Sequence, residues 1–371
     1  MKDSSIDAFF ELVRAGLWEK EACLSQFEKI EIKDIKRFSE EQSVPGLIAA
    51  GLTHVQDVKL SKKDVLFFVG NAIQLEQRNL SMNSFIEKLI ERMRSVGAYS
   101  LLMKGQGIAQ CYERPLWRAC GDVDLLLDDE NYSKAKSFLI PMASSIETEG
   151  RYTKHLGMVI DNWVVELHGS LRFGMSSKID QIMDEIRDNV IHGGDVRTWM
   201  NERTPISLLG VNSDAICVFT HFLSHFYKGG VGIRQICDWS RLLWANRGSV
   251  DVSVLIRYLR GMGLLSEWKA FGAFAVEYLG MPEEAMPLYV DSAYWKRKAK
   301  LIRAFVMEVG NFGHNRDSSY YSKYPYVIRK AYSLGRRCLD IARHARIFPI
   351  DSLRFFPRIV INGFRSAARG E

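Results

Sequence analysis

Gly121-Asp122-Val123-Asp124-Leu125-Leu126-Leu127 sets two carboxylates two residues apart among β-branched and aliphatic neighbours. As a strand, the stretch alternates its side chains between faces. Asp122 and Asp124 then point one way, and Val123, Leu125 and Leu127 the other. Two aspartates side by side on an apolar strand repel each other and resist desolvation unless a cation lies between them. A divalent metal meets that need, and a third carboxylate nearby would complete the site. Trp163-Val164-Val165-Glu166-Leu167-His168 offers one, again a single acid in an apolar strand.

Taken alone, an Asp-x-Asp strand is more often a solvent-facing edge or a turn cap. Its surroundings tip the reading. A glycine precedes the pair, Leu101-Leu102-Met103-Lys104-Gly105 reads as a strand running into a turn upstream, and the Glu-bearing strand follows downstream. The order is strand, turn, helix, Asp-x-Asp strand, helix, strand, Glu strand.

In this order of residues the chain resembles nucleotidyltransferases of the DNA polymerase β superfamily, most closely a bacterial branch of uncharacterised nucleotidyltransferases. The motifs are Leu101–Gly105, Arg118-Ala119-Cys120-Gly121-Asp122-Val123-Asp124, and Val164-Val165-Glu166-Leu167-His168. In that branch the first strand ends in Lys-Gly, an arginine precedes the Asp-x-Asp, and the third acid sits in a Glu-Leu-His strand. A weaker likeness extends over His221–Leu243. One departure stands out. The wider superfamily follows its first strand with Gly-Ser or Gly-Gly, whereas this chain has Lys104-Gly105-Gln106-Gly107 and no serine. The amides of Gly105 and Gly107 at a helix start remain candidates for phosphate binding.

The resemblance implies in-line transfer of a nucleoside monophosphate from ATP or another nucleoside triphosphate to an acceptor hydroxyl, with loss of pyrophosphate. It makes Asp122, Asp124 and Glu166 the ligands of two Mg²⁺ ions, as two-metal chemistry requires. Lys104 and Arg118 are the nearest cations for phosphate contact. Arg118 has a structural alternative, pairing with Asp122 or Asp128. His168 shares the face of Glu166, and His155 lies on the preceding strand; each is a core histidine or an acceptor-binding group. Cys217, His221 and His225 form one helical stripe. Its His-x-x-x-His lacks the glutamate that a metalloprotease places beside the first histidine, so a structural or acceptor-lining stripe is the expectation. Arg234 and Asp238 form an i,i+4 pair, which the resemblance assigns to bracing a helical domain against the sheet.

The expected fold class is α+β: a small mixed sheet with helices on one face, flanked by helical regions. The boundaries are an N-terminal helical region over 1–95, a nucleotidyltransferase-like core over 96–175, a helical domain over 176–320 and a basic helical tail over 321–371. Within them we expect separate helices over about Lys62–Ser81 and Met82–Val96. Strands are expected at Tyr99–Met103, Asp122–Leu127, Arg151–Ile160 and Trp163–Leu171, the last two joined at Asp161-Asn162 by a tight turn. Thr198–Leu209 reads as a short hairpin or loop, Ser213 as a helix N-cap, and Glu283–Val290 as a helix.

Composition bounds the partners. The 371 residues, 47% hydrophobic and 25% charged, are ordinary for a globular protein with more than one subdomain. No apolar run approaches the roughly 20 residues that span a bilayer, and the N-terminal segment lacks a signal-peptide core, so a cytoplasmic location is expected. Six scattered cysteines without a Cys-x-x-Cys read as reduced, buried thiols. The net charge of +6 is uneven: Tyr321–Glu371 carries eleven Lys/Arg and three acids, leaving the preceding 320 residues at −2. That tail makes nucleic acid a candidate partner, against the simpler reading of a solvated helix face. Three functions therefore fit the sequence: transfer to a small-molecule, peptide or protein hydroxyl, a nucleic-acid-directed transferase using the tail, and an inactive nucleotide- or partner-binding module.

Overall fold

Four helices open the chain: α1 (Lys2–Trp18), α2 (Ile32–Glu41), α3 (Pro45–Leu52) and α4 (Lys62–Ser95). The computed structural model describes residues 2–150, 152–311, 326–355, 357 and 361. Helices α1 and α3 cross almost backbone to backbone, because a Cβ on Gly16 would lie 2.0 Å from the Leu47 carbonyl oxygen and one on Gly51 2.1 Å from that of Leu12. The two helices expected over 62–96 are a single one of 34 residues, capped by the Ser61 hydroxyl on the Asp64 amide. No glycine or proline interrupts it near Ser81, and its fully buried Asn79 faces inward to bond a loop rather than break the helix.

The sheet follows. Its strands are β1 (Leu101–Met103), β2 (Asp122–Leu126), β3 (Ser145–Ile146), β4 (His155–Ile160), β5 (Trp163–His168), β6 (Val196–Asn201) and β7 (Thr204–Leu209), in the spatial order β3-β4-β5-β2-β1-β7-β6. Strand β2 runs antiparallel to β1 and parallel to β5. The turn between β4 and β5 has positive φ at both Asp161 (49°) and Asn162 (68°), the geometry a two-residue hairpin needs. The segment expected as a hairpin or loop is a hairpin, and β7 joins β1 in parallel through Leu102 and Leu208. The sheet therefore extends to residue 209, beyond the core expected over 96–175.

Alternation gives each sheet face its own core. Val123, Leu125, Val165, Leu167, Ile206 and Leu208 pack beneath α4 and the helix α6 (Asp129–Leu139). The other face carries Met103, Leu126 and the acids, and it looks toward a second helical layer rather than toward solvent. That layer corrects the expectation of helices on one face. It comprises α7 (Ser177–His192), α8 (Val211–Lys228), α9 (Ile233–Ala245), α10 (Val252–Met262), α11 (Leu265–Leu279) and α12 (Ala293–Val309), and the short α5 (Gly105–Ala109) lies against β1 and β2. Helix α8 starts after Gly210, not at Ser213, whose hydroxyl instead bonds Asp195. Glu283–Val290 forms only the 3-10 turn Glu283–Ala285, since Pro287 cannot donate within a helix.

Part of the basic tail is described, as α13 (Tyr326–Ile347) and the residues up to 355. Ile347, Phe348 and Phe355 are buried in the helical core, Arg343 pairs with Glu308, and Arg354 pairs with Asp351. This portion closes the molecule. The side chains of Arg329, Lys330, Arg336 and Arg337, and residues Arg358, Arg365 and Arg369, lie outside the described residues. The five described cysteines are free thiols, four of them buried and Cys23 exposed. Among the described residues no helix is long and apolar enough to cross a membrane.

The tail also brings Asp351 to Glu267 of α11, a carboxyl with no solvent exposure that accepts from the Tyr227 hydroxyl at 3.0 Å. Burial, and then the charge of Asp351, pushes the Glu267 carboxyl well above its ordinary value. The folded protein thus holds a proton that the unfolded chain releases. That contribution to stability is complete below the ordinary carboxylate range and is lost as pH rises through the raised value. Glu267→Gln keeps the shape without the charge. We expect it to raise the melting temperature by a few degrees at about pH 8 and by less as pH falls; a gap that widens in acid would contradict this account.

Candidate active site

Register brings the three acids together. Asp124 lies opposite Met103 on β1 and opposite Glu166 on β5, so Asp122, Asp124, Glu166 and His168 all emerge from one face of adjacent strands. On the far side of β5, His155 is paired with His168. Helix α8 stands over this face, and the cleft between them has a volume of about 290 Å³, close to the lower end of the range for small-molecule pockets. Glu166, His155, His168, Cys217, His221 and His225 line it. A smaller recess adjoins it at Lys104 and His221 and holds Asp122 and Asp124.

The charges are closely interlocked. Asp124, 2% exposed, accepts from Lys104 Nζ at 3.0 Å and from His168 Nε2 at 2.8 Å. Burial works to raise its pKa, but the Lys104 ammonium and the His168 bond win, and the carboxyl sits below its ordinary value. Glu166 behaves alike: burial is outweighed by bonds from His155 Nε2 at 3.0 Å and His168 Nε2 at 3.3 Å, holding it well below the usual carboxylate range. Asp122 differs. Its carboxylate makes no side-chain hydrogen bond or ion pair among the described residues, and burial, then the Asp124 charge, raises its pKa despite Lys104. Across the cleft His221 and His225 bring their Nε2 atoms to 3.1 Å. Burial and the nearby Lys104 charge depress both imidazoles, His225 to about 4.

A family profile described as "Uncharacterised nucleotidyltransferase" matches residues 28–280. The chain belongs to this family. No curated protein and no solved structure gives a significant match. The family stretch begins between α1 and α2 and ends just after α11, so it contains both walls of the cleft.

Not every expected residue is placed where the family resemblance would have it. Lys104 sits on Asp124, held at a positive φ of 52° that a non-glycine residue rarely adopts. Gly105 borders the recess and has φ 42°, and a Cβ there would stand 3.2 Å from Cys120 Sγ. Gly107 packs against the sheet instead, since its Cβ would meet Leu208 Cδ2 at 2.8 Å. Arg118 pairs neither with Asp122 nor with Asp128. Its Nε and Nη2 grip Asp238 of α9 at 3.0 and 2.6 Å, and the Tyr112 hydroxyl donates to the same carboxylate at 2.7 Å. Arg118 Nη1 is buried with no hydrogen-bond partner among the described residues, and Arg118 borders the recess. Asp238 is thus tied to Arg118 rather than to Arg234, which bonds the Ala119 carbonyl oxygen at 2.7 Å.

Two supporting residues escaped sequence reasoning. The Asn79 amide donates to the carbonyl oxygens of Leu116 and Arg118, and Gln106 donates to Asn79 Oδ1 at 2.8 Å. Together they pin the loop that delivers Arg118 and the Asp-x-Asp strand. A polar residue inside the apolar face of α4 was the available signal.

Proposed function

We propose that this nucleotidyltransferase moves a nucleoside monophosphate from a nucleoside triphosphate to an acceptor hydroxyl, releasing pyrophosphate, with Asp122, Asp124 and Glu166 as its metal-binding acids. The observation that carries this reading is the Asp122 carboxylate: half-buried, without a side-chain hydrogen bond or ion pair among the described residues, and beside a second aspartate in a recess bordered by Lys104 and Arg118. The oxygen-only donors of the two aspartates suit Mg²⁺. Asp122 and Asp124 would hold the triphosphate-side ion, and Glu166, opening on the larger cleft, would serve the acceptor side. Bound there, Mg²⁺ would polarise the α-phosphate and stabilise charge on the departing pyrophosphate.

The protein's own groups supply the rest. Lys104 would exchange Asp124 for a phosphate oxygen, and Arg118 Nη1 offers a second donor without leaving Asp238. The cleft beneath α8 would take the acceptor, a small molecule or an exposed peptide or protein hydroxyl. In the described part of the tail Arg343 and Arg354 stand in internal pairs, which weakens a nucleic-acid rail there, although Arg346 is exposed. One observation favours a second reading, a nucleotide-binding module without turnover: Asp124 is already neutralised by Lys104 and His168. Thermal shift against the four nucleoside triphosphates, with and without Mg²⁺, tests the common step. At least one triphosphate is expected to raise the melting temperature only when Mg²⁺ is present, and equal shifts without the metal would reject the proposed site. Release of pyrophosphate then separates turnover from binding.

A further inference from the structure

We propose that His155, Glu166 and His168 bind a first-row transition-metal dication of the zinc class, distinct in chemistry from the Mg²⁺ assigned to the aspartates. The antiparallel pairing of β4 with β5 sets His155 directly opposite His168, and Glu166 lies two residues before His168 on the same face. Both imidazoles converge on one carboxylate oxygen, His155 Nε2 at 3.0 Å and His168 Nε2 at 3.3 Å. One ligand atom from each residue falls within 4.8 Å of the other two. Ligand atoms around a single tetrahedral zinc stand about 3.3 Å apart, so small ring movements would complete the arrangement.

The donor types decide the ion. Two imidazoles and a carboxylate form a nitrogen-rich set that favours zinc-like ions, whereas Mg²⁺ seeks oxygen ligands and sheds water reluctantly. The aspartates line the inner recess and the histidine cluster lines the outer cleft; the two donor sets differ in kind and touch where His168 Nε2 meets Asp124 at 2.8 Å, a bond the ion would replace. The open side of the cluster looks into the cleft, leaving coordination positions for an acceptor oxygen. Four of the chain's eight histidines border that cleft, His221 and His225 from the opposite wall. An ion here would hold the acceptor hydroxyl and lower its pKa; that role rests on the transfer reading, while the binding itself does not.

Full-length protein stripped with a chelator is titrated with Co²⁺, a zinc surrogate with visible d–d absorption. We expect one equivalent to bind, to be displaced by Zn²⁺, and to withstand about a thousandfold excess of Mg²⁺. His155→Ala and His168→Ala should each weaken Co²⁺ binding by about 30-fold or more, whereas Asp122→Asn should leave it within about threefold. Displacement by Mg²⁺, wild-type Co²⁺ affinity in His155→Ala, or an equal loss in Asp122→Asn would overturn the assignment. Circular dichroism checks folding, and His155→Ala decides if His168→Ala unfolds, because the His155 side chain is 30% exposed and His168 only 15%. Intact Co²⁺ binding in a protein that takes no nucleotide would uphold this metal site while rejecting the transfer reading.

Discussion

Asp122→Asn should lower nucleotidyl transfer by about a thousandfold or more, equivalent to roughly 4 kcal/mol of transition-state stabilisation. It should also remove the Mg²⁺-dependent part of nucleotide binding. The substitution keeps the volume of the side chain and deletes its charge. Asp122 makes no ion pair or side-chain hydrogen bond among the described residues, and burial beside Asp124 makes that charge unfavourable to the folded protein. Stability should therefore be unchanged or slightly higher. Activity lost together with a lower melting temperature would turn Asp122 into a structural residue. Wild-type Mg²⁺-dependent nucleotide affinity in the variant would remove the metal site from the recess. Asp124 is a less discriminating probe, because Lys104 and His168 both lose a partner when it is changed.

The largest effect on stability is expected from Arg118→Ala. Arg118 and Asp238 are 6% and 4% exposed and joined through two bonds, with Tyr112 on the same carboxylate. Removing the guanidinium leaves a buried carboxylate facing a hydroxyl, which costs about 3–5 kcal/mol when one partner of such a pair is deleted. Asp238→Asn should cost less, since the amide still accepts from Tyr112. The double variant Arg118→Met with Asp238→Leu should recover part of the loss, because no charge remains unpaired. Urea unfolding measures all three. A loss below about 1 kcal/mol for Arg118→Ala would mean that water reaches the pair and that α9 is not braced to the Asp-x-Asp loop by this contact.

Local pattern carried the sequence reading as far as one strand at a time. Alternation over 122–127 assigns Asp122 and Asp124 to one face and Val123, Leu125 and Leu127 to the other, because the period of a strand is two whatever surrounds it. The same rule put Glu166 and His168 on a shared face, and Asp161-Asn162 marked the turn before them. The family assignment follows from those motifs, and the profile over residues 28–280 establishes it.

What tertiary structure decided was partnership. The Arg118–Asp238 pair spans 120 positions and the Asn79 bonds to the loop nearly 40, distances over which no periodicity operates. The hairpin or loop expected over Thr198–Leu209 fell within the helical domain because parallel pairing with β1 leaves no mark on its own sequence, yet the 196–209 hairpin extends the sheet. The convergence of His155 on Glu166 needed the β4/β5 register, which a one-residue slip would have reversed. By itself the sequence determined which side chains leave the sheet together, since that depends only on backbone geometry. Which cation, arginine or imidazole meets each acid depended on long-range packing, and only the folded chain supplied it.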